Sequence, residues 1–279
     1  MDMNLEGRTC VVTGANTGIG RACALELARR GAEVVLAGRS EARTAPVVEE
    51  IRTGGGHARF LHLDLSSLAG VKTAADEFLS WGERLHVLIN NAGVVRVRRV
   101  TEDGFEHTFG VNYLGPYLFT RLLLPLLEAS TPSRIINVSS EMHRPITSID
   151  WDALHRRGSW LGVHEYRVSK LGNVLFTIEL ARRFGDVQSV AVHPGLVATD
   201  IMRHVPSWFR TFAYRNALTP EQGARTPVYC ATTSELVTGG YYVDEHLREP
   251  GPGAFDRHFA EELWTRSERW VQSFLGPEA

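Results

Sequence analysis

Apolar residues in this chain fall into short β-branched runs separated by longer stretches of helical spacing. The short runs predict strands at Thr9–Thr13 and at residues 33–37, 59–63, 87–89, 134–138, 189–192 and 239–243. The stretches between them predict helices over residues 19–30, Glu41–Thr53 and residues 68–81, 102–129 and 162–184. Gly54-Gly55-Gly56 reads as a C-cap, and Ser66 or Ser67 as an N-cap. The helix over 102–129 carries expected interruptions at Gly115-Pro116 and at Pro125. Strand–helix alternation of this kind predicts an α/β fold, a doubly wound parallel sheet of about seven strands with helices on both faces.

All of this reads as one domain over residues 1–279. Residues 142–160 read as an insertion and 196–218 as a substrate lid, since long loops in a compact domain usually carry function. The lid is rich in large apolar groups: Ile201, Met202, Val205, Trp208, Phe209, Phe212 and Tyr214. Residues 255–275 place Phe259, Leu263, Trp270 and Phe274 near helical spacing, with Trp264 beside them, and read as a C-terminal docking helix.

Composition narrows the choice of function. The chain is 43% hydrophobic and 22% charged, with a net charge of −2. That balance gives no electrostatic footprint for nucleic acid or an anionic membrane. No run approaches the roughly 18 apolar residues of a membrane span. The first eight residues lack the apolar core of a signal peptide. Cys10, Cys23 and Cys230 share no metal spacing, and no His-Glu-x-x-His pattern occurs, so no metal site is expected. A reducing, cytoplasmic setting is expected, and the arginine bias suggests a bacterial, GC-rich genome.

The turn Thr13-Gly14-Ala15-Asn16-Thr17-Gly18-Ile19-Gly20 joins the first strand to the first helix. Glycines there let the backbone turn tightly and approach a pyrophosphate, while the helix N-terminus offers free N–H groups. A Rossmann-type dinucleotide site is therefore expected. Nineteen residues after Gly20, where an acidic residue would favour a ribose 2′-hydroxyl, stands Arg39. A guanidinium suits a 2′-phosphate, with Arg43 assisting. The expected cofactor is NADP(H), with NAD(H) as the alternative.

Of the 30 basic residues only Lys72 and Lys170 are lysines. Lys170 follows Tyr166 by four positions, so the two share a helix face. Lysine is a compact charge whose ionisation responds to burial, unlike arginine.

Further motifs stand at the strand ends: Asn90-Asn91-Ala92-Gly93, Asn112, Ser139-Ser140, Tyr166-x-x-x-Lys170 and Pro194-Gly195. With the glycine turn they closely resemble the short-chain dehydrogenase/reductase superfamily, over nearly the whole chain. Phe109-Gly110-Val111-Asn112, His193-Pro194-Gly195 and the segment 169–176 resemble its retinol dehydrogenase-like branch. The membrane-bound enzymes of that branch carry an N-terminal anchor that this sequence lacks.

The resemblance implies hydride transfer between a nicotinamide and a carbonyl or alcohol carbon. Tyr166 would be the general acid or base, with Lys170 lowering its pKa. Ser140 would hydrogen-bond the substrate oxygen, and Asn112 would hold a water linked to Lys170. Gly14, Asn16, Gly18, Ile19 and Gly20 would surround the pyrophosphate and ribose, and Asp64 and Leu65 would meet the adenine. Asn91, Ala92 and Gly93 would line the central path. Lys170 would reach the nicotinamide ribose, and Pro194, Val197 and Thr199 would cradle the carboxamide. Trp151, Trp160 and Leu161 would complete a pocket for a lipophilic or aromatic substrate. Arg96 to Arg99 reads either as a solvated loop or as an anion contact. Two alternatives stay open: a reductase of an activated C=C bond, and a non-catalytic nucleotide-binding partner protein. Assembly is open between a monomer and a homodimer or tetramer.

Overall fold

A computed structural model of the chain describes residues 4–197 and 217–276. Its centre is an eight-stranded sheet: β1 (Thr9–Thr13), β2 (Glu33–Gly38), β3 (His57–His62), β4 (Val87–Asn90), β5 (Ser133–Val138), β6 (Val187–His193), β7 (Tyr241–Val243) and β8 (His246–Arg248). Their spatial order is β3-β2-β1-β4-β5-β6-β7-β8. Strands β1 to β7 pair in parallel, and β8 runs antiparallel to β7. The eighth strand corrects the expectation of about seven. Asp244 and Glu245 turn the chain with φ of 49° and 66°, without the Asn-Gly signature of such turns. All three residues of β8 are exposed, so no buried alternation marks it.

Successive side chains of a strand point to opposite faces, and each face has its own core. Cys10 and Val12 of β1 join one cluster, built with α1 (Gly18–Arg29), α2 (Glu41–Thr53) and α7 (Pro220–Thr232). Val11 joins the other, built with α3 (Leu68–Ser80), α5 (Gly115–Ala129), α6 (Val163–Arg183) and α8 (Arg257–Leu275). This is the doubly wound α/β arrangement. Helix α7 was not among the expected elements. It opens with a reciprocal capping box between Thr219 and Gln222, followed by proline in the first turn.

The expected helix over 102–129 starts later. Thr101 N donates to the Phe105 carbonyl at 2.7 Å, and Gly104 has φ of 81°, so residues 101–105 form a turn. Glu106 then caps α4 (His107–Phe109) by accepting from Phe109 N at 2.7 Å. A π-helical stretch, Gly110–Leu114, leads into α5. Pro116 lies in the first turn of α5, and Pro125 is carried inside it. Helix α8 packs on α5 and α6 through Trp264 against Tyr117 and Phe176. Glu268 ties it to Tyr117 and to Arg121, the latter at 2.8 Å.

Candidate active site

The C-terminal ends of β1, β2, β4, β5 and β6 open onto one cleft of about 1220 Å³. In open parallel sheets ligands bind at this edge, where the strand order reverses. Here β1 and β4 are spatial neighbours, and successive connections leave them in opposite directions.

The cleft floor is locked by β1 and β4. Thr13 Oγ1 accepts from Asn91 N and Ala92 N, both at 3.0 Å, and Asn91 Nδ2 donates to the Thr13 carbonyl at 2.8 Å. Thr13 was absent from the expected site, although its position immediately before the glycine turn is a usable signal. Gly14 and Gly18 adopt φ of 67° and 56°. A Cβ on Gly20 would collide with Asn91 Nδ2 and lie 2.5 Å from the Gly14 carbonyl oxygen. The turn therefore presents bare backbone to the cleft at the N-terminus of α1. A pyrophosphate needs that combination of close approach and free N–H groups, so these residues fit a dinucleotide. From below, Gly223 of α7 packs on Ile19 and Val197.

Arg39, Ser40 and Arg43 line the same cleft beyond β2, with Asp64 and Leu65 beyond β3. Both arginines are exposed, and neither holds an ion pair among the described residues. Asp64 Oδ1 is held by Ser66 N at 2.9 Å and Ser66 Oγ at 2.7 Å.

Opposite the glycine turn, α6 brings Tyr166 and Lys170 to the cleft, and the end of β5 brings Ser139 and Ser140. Ser140 stands beside the Tyr166 phenol and favours its ionised form. Ser139 instead donates to the Lys170 carbonyl at 2.7 Å, which leaves Ser140 as the serine beside the phenol. Lys170 Nζ lies 5.5 Å from the Tyr166 ring centroid and donates to the Val138 carbonyl at 2.7 Å. Burial lowers the Lys170 ammonium to about 8. Burial pushes the Tyr166 phenol up to about 12, while Ser140 pulls it down. The expected lowering of Tyr166 by Lys170 is thus not seen in the chain alone. Desolvation disfavours both charged forms, and the ammonium is directed at a carbonyl.

Asn112 sits in the π-helical stretch, a geometry that often marks functional positions. Its side chain accepts from Val94 N at 2.7 Å and donates to the Val94 carbonyl at 2.9 Å and to Ser169 Oγ at 3.1 Å. It stands behind the cleft wall rather than in it. Gly93 separates it from the cleft: a Cβ there would lie 3.4 Å from Asn112 Oδ1 and 3.8 Å from Lys170 Nζ.

The outer cleft is mostly apolar. Val94, Val95, Met142, Leu161, Val163 and Leu196 line it, with Trp160 at the mouth. Arg96 covers the Trp160 ring at 5.0 Å. Trp151 is not part of it: it packs on Phe259 of α8 and lies under Arg266, so its expected place in the pocket is corrected. Arg98 and Arg99 also lie outside the cleft lining. Gly14, Asn16, Gly18, Ile19, Gly20, Asn91, Ala92, Gly93, Pro194 and Val197 all line it as expected. Thr199 and residues 198–216 of the expected lid lie outside the described residues. Among the described residues no cluster of metal-ligating side chains occurs, and no helix is long and apolar enough to cross a membrane.

Comparison with known proteins bears on the whole chain. A sequence model of the family described as short chain dehydrogenase matches residues 8–150. Dehydrogenase/reductase SDR family member 13 of Homo sapiens is 43% identical over 287 residues, covering 98% of this chain and 75% of the relative. Retinol dehydrogenase 13 of Homo sapiens is 42% identical over 283 residues, covering 96% and 85%. Among solved structures, an uncharacterized protein from Mycobacterium paratuberculosis superposes with a TM-score of 0.76 at 34% identity, covering 96% of this chain and 94% of that one. A 3-ketoacyl-(acyl-carrier-protein) reductase from Brucella melitensis, complexed with NADH, gives 0.69 at 26% identity, covering 85% and 96%. A metagenomic short-chain oxidoreductase in complex with NADP gives 0.64 at 27% identity, covering 86% and 98%.

Proposed function

Since the chain belongs to the short-chain dehydrogenase/reductase family, we propose that it is an NADP(H)-dependent oxidoreductase acting on a carbonyl or alcohol of a lipophilic or aromatic small molecule. The observation that carries this reading is the convergence of Ser140, Tyr166 and Lys170 on one wall of a cleft floored by the glycine turn, where Gly20 has no room for a Cβ.

When bound, the nicotinamide supplies or accepts the hydride. The chain's own residues handle the proton and the charge. Tyr166 is protonated at neutral pH and stands ready to give its proton to the substrate oxygen. Ser140, beside the phenol, donates to the same oxygen as charge develops on it. Lys170 keeps its proton below about pH 8 and offers a positive charge beside the phenol and toward the nicotinamide ribose. Asn112 fixes the 93–94 backbone against α6 and so holds the cleft wall next to Lys170. Asp64 and Leu65 would border the adenine. Pro194, Val197 and Thr199 would hold the carboxamide.

Arg39, just past the end of β2, and Arg43, in the first turn of α2, are exposed and favour a ribose 2′-phosphate. Bound NADH and NADP in solved relatives support a nicotinamide cofactor of either kind. The apolar outer cleft favours a lipophilic substrate. Three free, buried cysteines fit a reducing compartment.

The test is NADPH oxidation over a panel of lipophilic aldehydes, ketones and quinones, with Arg39→Ala measured for NADPH and NADH. Turnover on a carbonyl, with Arg39→Ala losing about tenfold in affinity for NADPH and little for NADH, supports the reading. Cofactor binding without turnover of any carbonyl points to the non-catalytic alternative. A product that keeps its carbonyl points to C=C reduction.

A further inference from the structure

The pairing of β5 with β4 ends at Asn137 and Asn90, one residue short of Val138. The Val138 carbonyl lies beyond that ladder and takes two side-chain donors from α6 instead. Lys170 Nζ lies 2.7 Å from it and Asn173 Nδ2 3.1 Å. Val138, Lys170 and Asn173 are all buried. A carbonyl oxygen has two lone pairs, and these two donors fill them.

The two donors are held differently. The helix backbone at Asn173 is tied from behind. Thr177 Oγ1 donates to the Asn173 carbonyl at 2.8 Å, and Asn137 Nδ2 donates to Thr177 Oγ1 at 2.9 Å. None of these three residues lines the cleft. Lys170 does line it, and its ammonium sits on a flexible stem that can turn from the carbonyl toward the cleft. A ligand hydroxyl in the cleft therefore competes with the Val138 carbonyl for Lys170. If Lys170 were the sole donor, that competition would leave a buried acceptor unsatisfied, and the loss would be charged against ligand binding.

We infer that Asn173 is a positioning residue: it keeps the Val138 carbonyl bonded while Lys170 turns to the ribose hydroxyls of the nicotinamide cofactor. The inference rests on the proposed function, which places Lys170 at that ribose. Asn173 touches neither cofactor nor substrate and acts through Lys170.

The experiment is a fluorescence titration of whichever reduced cofactor the wild type binds, NADPH or NADH, with thermal midpoints of the cofactor-free proteins. Asn173→Leu is expected to weaken the cofactor Kd about tenfold. Asn173→Ser, a milder change that shortens the donor's reach, should move the Kd the same way and serves if Asn173→Leu does not fold. Asn173→Gln, which keeps an amide donor, should recover most of the loss. In a Lys170→Met background, adding Asn173→Leu should leave Kd unchanged, because no lysine then leaves the carbonyl. A purely structural Asn173 would lower the thermal midpoint in every background and leave Kd alone. Equal Kd in wild type, Asn173→Leu and Asn173→Ser, or the same loss with and without Lys170, overturns the inference while the proposed function stands. A wild type that binds neither cofactor overturns both.

Discussion

At the floor of the cleft, Thr13, Asn91 and the glycine turn interlock through backbone and short polar side chains, and an added Cβ at Gly20 has no room. At its mouth, Trp160 and Leu161 stand largely in solvent, at 66% and 58% exposure, with the half-buried Arg96 over the Trp160 ring. The floor is over-determined because each group there answers to a strand end on either side. The mouth is built from loops after β4 and before α6, joined by a close approach of Arg96 backbone to Gly162. The difference separates what the chemistry requires from what a particular substrate requires. Substitutions at the floor and the catalytic wall should cost orders of magnitude; those at the mouth should tune.

The catalytic wall gives the largest expected effect. Tyr166→Phe removes the proposed proton donor and keeps the ring, so turnover should fall about 10²- to 10⁴-fold with little change in cofactor Kd. Steady-state kinetics with the best carbonyl of the panel checks it. Turnover within a few-fold of wild type would remove Tyr166 from the chemistry.

Lys170 is next. Its ammonium drops from 10.5 to about 8 on folding because burial disfavours the charge. Below pH 8 the folded and unfolded chains both hold the proton, so the cost of burying it is fully present. Between pH 8 and 10.5 the unfolded chain still binds a proton that the folded chain has lost, and stability rises with pH. The span corresponds to roughly 3 kcal/mol. Tyr166 works the other way: its phenol is raised from 10 to about 12, so its contribution is lost as pH rises from 10 toward 12. Relative to Lys170→Met, the cofactor-free wild type should therefore gain thermal stability from pH 8 to 10, on top of the loss that the buried Cys10, Cys23 and Cys230 thiols, all pushed up by burial, bring to both proteins. Lys170→Met should be more stable than wild type at pH 7 and should lack that gain. Parallel pH curves for the two proteins would show that the buried ammonium carries no such cost.

Gly20→Ala tests the floor directly. Its Cβ would meet Asn91 Nδ2 and the Gly14 carbonyl, so either the turn or Asn91 must move. A loss of about 1–3 kcal/mol in stability is expected, with weaker binding of the cofactor. Chemical denaturation and the same fluorescence titration would show both. An unchanged Kd would mean that the turn does not face the pyrophosphate.

The contrast between floor and mouth also explains what the sequence made legible. The glycine turn, Asn90-Asn91-Ala92-Gly93 and Tyr166-x-x-x-Lys170 are short motifs whose spacing is their structure, and the residues read from them line one cleft. Strands β1, β2, β4, β5 and β6 were legible because buried parallel strands are near-continuous apolar runs. Strand β8 was not, since its three exposed residues carry no pattern. Helix α7 had a readable capping box at Thr219 and Gln222, obscured by threonine and proline within the helix. The start of α4 was placed too early because Thr101-Glu102-Asp103 resembles a helix start, whereas Gly104 at positive φ makes a turn. Trp151 was assigned to the pocket from its neighbours in sequence, but Phe259 and Arg266, over a hundred residues away, hold it elsewhere. The upward push on the Tyr166 phenol was not legible because burial is a property of the whole fold.

The smallest expected effect lies at the mouth. Trp160 is mostly exposed, and its described ring partner is Arg96 at 5.0 Å. An exposed cation–π pair contributes about 0.5–1 kcal/mol, so Trp160→Ala should barely move the thermal midpoint. The ring lines the cleft, however, and offers apolar surface to a lipophilic substrate. KM for such a substrate should rise about two- to fivefold, with KM for the cofactor and kcat unchanged. A loss confined to bulky substrates would mark Trp160 as part of the specificity surface. An equal loss for small and bulky carbonyls, or a shift in cofactor KM, would mean that the mouth is coupled to the floor, and the division drawn between them would fail.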